Sequence, residues 1–319
     1  MSSLAGSSFH LALQAAQAAA GEQHYPTGCL YVVATPIGNL ADITLRALQV
    51  LQTVETIACE DTRHTAGMLG QYGLHKPLLA VHQHNEAEAA QAVVARLQGG
   101  ERMAYVSDAG TPAISDPGAR LVQAVRTAGL RVLPLPGASS VTTLLCAAGL
   151  DAGLHGTPAA GFAFVGFLPS KAQERERAVQ VLAAEPRAVV LLEAPHRMAE
   201  LAKALTVLGQ RPLTVGRELT KQFEEIDTLP CANLGAWMAA NPQRSRGEFA
   251  LVLHPQPPQA LAEGALPAAA EKTLHLLLAE LPLKTAVRLA TDITGEPKNT
   301  LYPAALRWKE QHAAQDVGD

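Results

Sequence analysis

One pattern, repeated five times in the first half of the chain, constrains the fold more than any other feature: a short apolar run, a polar cluster rich in turn residues, then a helical stretch. The runs are Cys29 to Ala34, Thr56 to Cys59, Pro77 to Val81, Met103 to Val106 and Arg131 to Leu135. Each has the length of a strand and is too short for a buried helix. Strands that alternate with helices of about ten residues fold as a mainly parallel sheet with crossover helices. The carboxyl ends of such strands share one edge, so the clusters that follow them are predicted to gather there. Open α/β sheets bind ligands in the crevice outside that edge.

The longest cluster, Ser107 to Gly118, holds two glycines, two prolines and two aspartates. These are residues of tight turns and exposed backbone rather than of core. The stretch reads either as a ligand loop or as a long connection with good turn chemistry.

Past a Gly/Pro/Ala-rich connection, Leu154 to Ala160, the alternation resumes. Strands are predicted at Phe162 to Phe167, Ala188 to Leu192, Leu213 to Gly216 and Phe249 to Leu253, with a helix over Ala172 to Ala184. Pro255-Gln256-Pro257-Pro258-Gln259 then forms a stiff linker. Three helices follow, Ala270 to Glu280, Leu283 to Ile293 and Asn299 to Lys309, with helix-turn-helix proportions. Their charges are balanced, so they read equally as a docking bundle. The expected organisation is a flexible or helical N-terminal extension (1–26), an α/β domain (27–153), a second α/β domain (160–255) and the helical tail (265–312). The Ala/Gln/Ser-rich start lacks the basic region of a signal peptide, and no apolar run reaches transmembrane length.

A net charge of −4 gives no global footprint for nucleic acid, so an anionic partner must be met by a local patch. Aromatic residues at 4% argue against an RNA surface built mainly on stacked rings. Cys29, Cys59, Cys146 and Cys231 show no CxxC spacing, which points to free thiols in a reducing cytoplasm. His82 and His84 have metal-like spacing without companion ligands, so they read as polar loop residues and no metal is expected. There is no GxGxxG after the first strand, and no P-loop, HExxH or GxSxG. The residues alone describe an α/β enzyme that binds a nucleotide-like small molecule.

Six motifs in order carry a resemblance: Ala34-Thr35-Pro36-Ile37-Gly38-Asn39-Leu40, Glu60-Asp61-Thr62-Arg63, Ser107 to Gly118, Pro136-Gly137-Ala138-Ser139-Ser140, Glu193-Ala194-Pro195-His196-Arg197 and Arg217-Glu218-Leu219-Thr220-Lys221. From about Gly28 to His254 the chain resembles the bacterial ribosomal RNA small-subunit methyltransferase I family, in the tetrapyrrole-methylase-like class of S-adenosylmethionine enzymes. Its tail resembles that family's C-terminal helix-turn-helix extension. The resemblance implies two α/β domains of the tetrapyrrole methylase type with the S-adenosylmethionine cleft between them. It implies methyl transfer to the ribose 2′-hydroxyl of one cytidine in the decoding region of small-subunit ribosomal RNA, free or in the assembled subunit. A cytoplasmic homodimer without membrane association is implied as well. Two other readings stay open: methylation of a tetrapyrrole carbon, and a non-catalytic RNA-binding protein.

Carried over by position, the implied donor contacts are Pro36, the backbone of Ala109, Gly110 and Thr111, the apolar Ile114, and Ser139 with Ser140. The tetrapyrrole enzymes usually carry Gly-Gly-Asp-Pro where this chain has Ala109-Gly110-Thr111-Pro112, which preserves backbone contacts and alters side-chain ones. Asp61 matches a proposed proton acceptor of the class and is the first choice of base, with Glu60 as the alternative; an Asp before a helix is equally an N-cap. Arg63, His64, His196, Arg197, Arg217 and Lys221 are candidates for RNA phosphate and ribose. Against that stands an internal network of Glu193, Arg197, Arg217 and Glu218. Asp108 and Asp116 read as loop-shaping residues.

Overall fold

A computed structural model describes residues 5–82, 85–150, 161–255, 266 and 268–313, in two compact units, 1–255 and 256–319. In the first unit, β1 (Cys29–Val33), β2 (Thr56–Cys59), β3 (Leu78–Ala80), β4 (Met103–Val106) and β5 (Arg131–Leu135) form a wholly parallel sheet in the order β3-β2-β4-β1-β5. Strands covered on both faces read as unbroken apolar runs, and the side chains divide by parity. Cys29, Tyr31, Val33, Ala104 and Val106 enter the core on one face, whereas Leu30, Met103 and Tyr105 enter the core on the other. The first face is covered by α1 (Ala5–Ala20), α2 (Leu45–Thr53) and α3 (Thr62–Gln71), the second by α4 (Glu86–Gln98) and α5 (Ala119–Thr127). β5 is an edge strand, which is where its Pro134 is tolerated.

The N-terminal stretch, expected as a flexible or helical extension, is a seated helix. Ala16 of α1 is fully buried, and the Phe9 ring meets Tyr72 edge-on at 5.1 Å. The Ala-rich sequence hid this, because small residues pack closely without a strong apolar stripe.

After α6 (Ser140–Ala147) come β6 (Phe162–Phe167), α7 (Ala172–Ala184), β7 (Ala188–Glu193), α8 (Met198–Leu205), β8 (Pro212–Arg217), β9 (Glu225–Pro230), α9 (Leu234–Ala240) and β10 (Phe249–Leu253). The predicted connection Leu154 to Ala160 lies outside the described residues. The second sheet is ordered β6-β7-β10-β8-β9 and is mixed: β6 runs parallel to β7, but β10 is antiparallel to both neighbours and β9 is antiparallel to β8. The mainly parallel sheet predicted from the alternation therefore holds only for the first sheet. Two antiparallel joins still leave the carboxyl ends of β7 and β8 on one edge, with the start of β10 between them. Helix α6 of the first domain packs on the second sheet, where Val141 and Leu144 join Val190, Leu219, Ala250 and Val252 in one core. That core fixes the two sheets' ligand edges to each other.

The second unit is a three-helix bundle of α10 (Ala268–Glu280), α11 (Leu283–Thr294) and α12 (Lys298–Ala313). Leu274, Leu278, Ala286, Val287, Ala290, Leu301 and Ala305 form its own core. Gly295, at φ 75°, ends α11 in a left-handed cap.

Candidate functional site

The first domain's ligand edge is built by three loops tied together by backbone and hydroxyl hydrogen bonds. β1 and β4 are neighbours, so the loops after them emerge side by side. Thr35 and Gly110 exchange both main-chain hydrogen bonds, at 2.9 and 3.0 Å, and Thr111 Oγ1 donates to the Ala138 carbonyl at 3.1 Å. Gly110 sits at φ 77°, where a Cβ would come within 3.2 Å of Ile37 Cγ2, so glycine serves both the turn and the close approach. The far end of the long loop is anchored separately. Gly118, at φ 122°, packs its α-carbon on the Tyr105 ring, whose hydroxyl donates to the Pro117 carbonyl at 2.7 Å. Glycine at the N-cap offers no side chain, and buried Glu86 of α4 does the capping instead: its Oε1 accepts from the amides of Gly118, Arg120 and Leu121 at 3.0–3.3 Å.

A cavity of about 320 Å³ lies between the two domains of this unit, within the range of small-molecule sites. Ala109, Gly110, Thr111, Ile114, Ser139 and Ser140 all line it. Pro36 does not, although its neighbour Ile37 does. Ser139 is the N-cap of α6 but makes no side-chain cap bond, so the helix start offers hydroxyl and amide donors suited to a carboxylate. The opposite wall comes from the second domain: Phe164 and Phe167 of β6, Glu193 to Pro195 after β7, Leu219 after β8, and Phe249 and Ala250 of β10. An apolar enclosure, backbone donors and an open helix start fit a nucleoside carrying an amino acid, as S-adenosylmethionine does. Glu193 to Pro195 and Leu219 lie in two of the six motifs, but the β6 and β10 part of this wall went unread in the sequence because its residues are ordinary apolar strand residues, gathered only by the mixed sheet.

Four carboxylates stand near the ends of β2 and β4, and their environments differ. Asp61 is the N-cap of α3, accepting from the Arg63 amide at 2.8 Å and the His64 amide at 3.2 Å. Those two bonds hold its carboxyl below the usual range. Its own amide donates to Asp108 Oδ1 at 3.2 Å. Burial, then the charges of Asp108, Asp116 and Asp61, push Glu60 up. Burial, reinforced by Asp108 and opposed by a Ser107 hydrogen bond, pushes Asp116 up. Of the four, Asp116 lines the cavity. The sequence offered no sign of this beyond its place in the loop.

The candidate RNA-binding residues divide as well. Arg63 and His64 are exposed on the first turn of α3, and His196 is exposed after β7. Arg197 is turned inward: its Nε lies 3.1 Å from buried Glu193 and its Nη2 donates to the Leu168 carbonyl. Arg217 is buried, donating to the carbonyls of Arg246 and Gln243 at 2.8 Å each and standing 3.4 Å from Glu225. Lys221 pairs with Glu218 at 2.9 Å and Glu248 at 3.2 Å. These three cations serve three separate internal pairings rather than the single network considered from sequence. Among the described residues no group of His, Cys, Asp and Glu is arranged to hold a metal; His84 lies outside them. Nor is any described helix long and apolar enough to cross a membrane.

Comparison with known proteins adds the following. A family model for tetrapyrrole (corrin/porphyrin) methylases matches residues 29–234, and one for the RsmI C-terminal HTH domain matches residues 264–309. A relative from Escherichia coli O157:H7, named ribosomal RNA small subunit methyltransferase I, is 48% identical over 281 residues, covering 88% of this chain and 95% of its own. A relative of the same name from Pseudomonas aeruginosa is also 48% identical, covering 88% and 97%. The solved structure of a cobalt precorrin-4 methyltransferase is similar with a TM-score of 0.53 at 18% identity, over 72% of this chain and 98% of that one. That likeness concerns the fold.

Proposed function

The chain belongs to the ribosomal RNA small subunit methyltransferase I family, within the tetrapyrrole methylases, and from that premise we propose that it methylates a ribose 2′-hydroxyl of small-subunit ribosomal RNA. The target is one cytidine of the decoding region, at position 1402. The observation that carries this reading is that relatives of that name match 88% of the chain, and the helical tail has its own family match. Likeness to a tetrapyrrole enzyme stands at 18% identity.

Bound S-adenosylmethionine supplies an electrophilic methyl group. The bond from the ribose oxygen to that methyl forms as the methyl–sulfur bond breaks, and the hydroxyl proton must leave. The protein's work is alignment, exclusion of water and proton acceptance. Ala109, Gly110 and Thr111 would hold the donor through backbone groups, and Ser139, Ser140 and Ile114 would complete its site. Asp116 is the better-placed proton acceptor, because it lines the cavity and its carboxyl is held above the usual range, with Glu60 the alternative. Asp61 shapes the start of α3. Arg63, His64 and His196 remain exposed for phosphate. The protein acts in the cytoplasm as a homodimer.

The test is to map ribose methylation on small-subunit RNA incubated with S-adenosylmethionine, with and without the protein, using free RNA and assembled subunits as separate arms. One new 2′-O-methylcytidine is expected. No methylation in either arm, with a methylated tetrapyrrole instead, would favour the carbon methyltransferase. Calorimetry showing no affinity for S-adenosylmethionine would favour a binding protein.

A further inference from the structure

Resting on the reading just given, we infer that Phe167 is the platform on which the target nucleobase stacks while its ribose is methylated. Strand alternation would place Phe164 and Phe167 on opposite faces of β6. The pairing of β6 with β7 slips between Phe164 and Gly166, and Gly166 adopts φ 71°. The extra residue, Val165, bulges outward and is 44% exposed. One slipped residue changes the parity, and Phe164 and Phe167 both line the cavity. Bulges beside active sites commonly re-aim a side chain in this way.

The two rings then differ in surroundings. Phe164 packs into the core shared by the two domains and is the floor. Phe167 is 52% exposed although it lines a cavity, in a chain with only six phenylalanines. Ile114, from the loop expected to hold the donor, lines the same cavity and is 54% exposed. That loop stands against the bulge, with Ser115 Oγ 4.0 Å from where a Cβ on Gly166 would sit. An open aromatic ring in a cavity that Ile114 also lines gives a flat, weakly polar object a face beside the proposed donor site. A nucleotide whose ribose enters a cleft between two domains brings its base with it, and an unstacked base of a single-stranded RNA segment rests on an aromatic face. Stacking on one ring is tolerant of base identity, so this platform orients the nucleotide and leaves selection of cytidine to other contacts.

The experiment compares Phe167→Ala, Phe167→Tyr and Phe162→Ala with the parent, measuring kcat and KM for ribosomal RNA methylation and, by calorimetry, S-adenosylmethionine affinity. Phe162 is 46% exposed on the same strand and does not line the cavity. Phe167→Ala is expected to lower kcat/KM for RNA by roughly tenfold to a hundredfold, mainly through KM, with donor affinity within about twofold of the parent. Phe167→Tyr should retain most of the activity, and Phe162→Ala nearly all. Unchanged kcat/KM in Phe167→Ala overturns the inference, as does a loss of donor affinity by the same factor, which would assign the ring to the donor. If the parent itself methylates no ribosomal RNA, the functional reading fails and the platform with it; an active parent with an indifferent Phe167→Ala sinks the platform alone.

Discussion

Carboxylates that are neighbours in sequence are set apart by their surroundings. Asp61 accepts two helix amides and is held low, whereas Glu60 is pushed up by burial and by the charges of Asp108, Asp116 and Asp61. A base must be ionised to work, so methyl transfer should fall as pH drops through a value above the usual carboxylate range. Glu60→Gln or Asp116→Asn is expected to cut turnover at least tenfold and remove that acid limb, while Asp61→Asn keeps both the limb and the cap. If Asp61→Asn alone abolishes the limb, the assignment is reversed. Stability should move the other way. The folded state holds the Glu60 proton more tightly than the unfolded chain does. Its contribution is therefore full below the ordinary carboxyl pKa and is lost as pH rises through the raised value. Glu60→Gln should melt higher than the parent at alkaline pH, with the difference shrinking as pH falls. Gly118 offers a purely structural counterpart. A Cβ there would lie 2.2 Å from Tyr105 Cε1 on a backbone at φ 122°, so Gly118→Ala should lose about 2–4 kcal/mol in urea unfolding. A loss below about 1 kcal/mol would mean that the loop yields.

Elements were legible where one physical signal dominated. β2, β4 and β10 match their predicted bounds to the residue because buried strands read as unbroken apolar runs, and the half-exposed β5 and β6 match theirs because turn residues bound them. β9 escaped notice: Glu225-Ile226-Asp227-Thr228 alternates acidic with other residues, its edge is largely solvated, and it closes on Pro230. Missing it hid the antiparallel half of the second sheet, and with it the wall formed by Phe249 and Ala250. The loop Ser107 to Gly118, proposed to hold the donor, stood out by its turn chemistry. The β6 and β10 part of the opposite wall did not, because apolar residues within strands carry no local mark of facing a cavity. Helix α1 is the clearest case of packing outrunning pattern. With Ala16 fully buried and Phe9 against Tyr72, deleting residues 1–21 is expected to lower the melting temperature by about 5 °C or more. An unchanged melting temperature would show that the helix adds nothing to the sheet it covers.

For the whole molecule, electrostatics restrict how RNA can be held. The chain is net acidic, and acidic residues outnumber basic ones within 256–319. Three cations near the cleft, Arg197, Arg217 and Lys221, are engaged by internal partners. The net charge gives no global pull on RNA, so affinity for a ribosomal substrate is expected from local contacts. The helical tail has its own core, and the cavity proposed for the donor lies wholly within 1–255. Deleting the residues after Pro258 should then leave S-adenosylmethionine affinity within about twofold of the parent and weaken binding to the ribosomal substrate at least about fivefold. The affinity lost with the tail should depend only weakly on salt, since an acidic segment displaces few counterions from RNA. Equal substrate affinity with and without the tail would make it a docking bundle. A steep salt dependence of the lost affinity would instead reveal a basic contact face that the overall charge conceals.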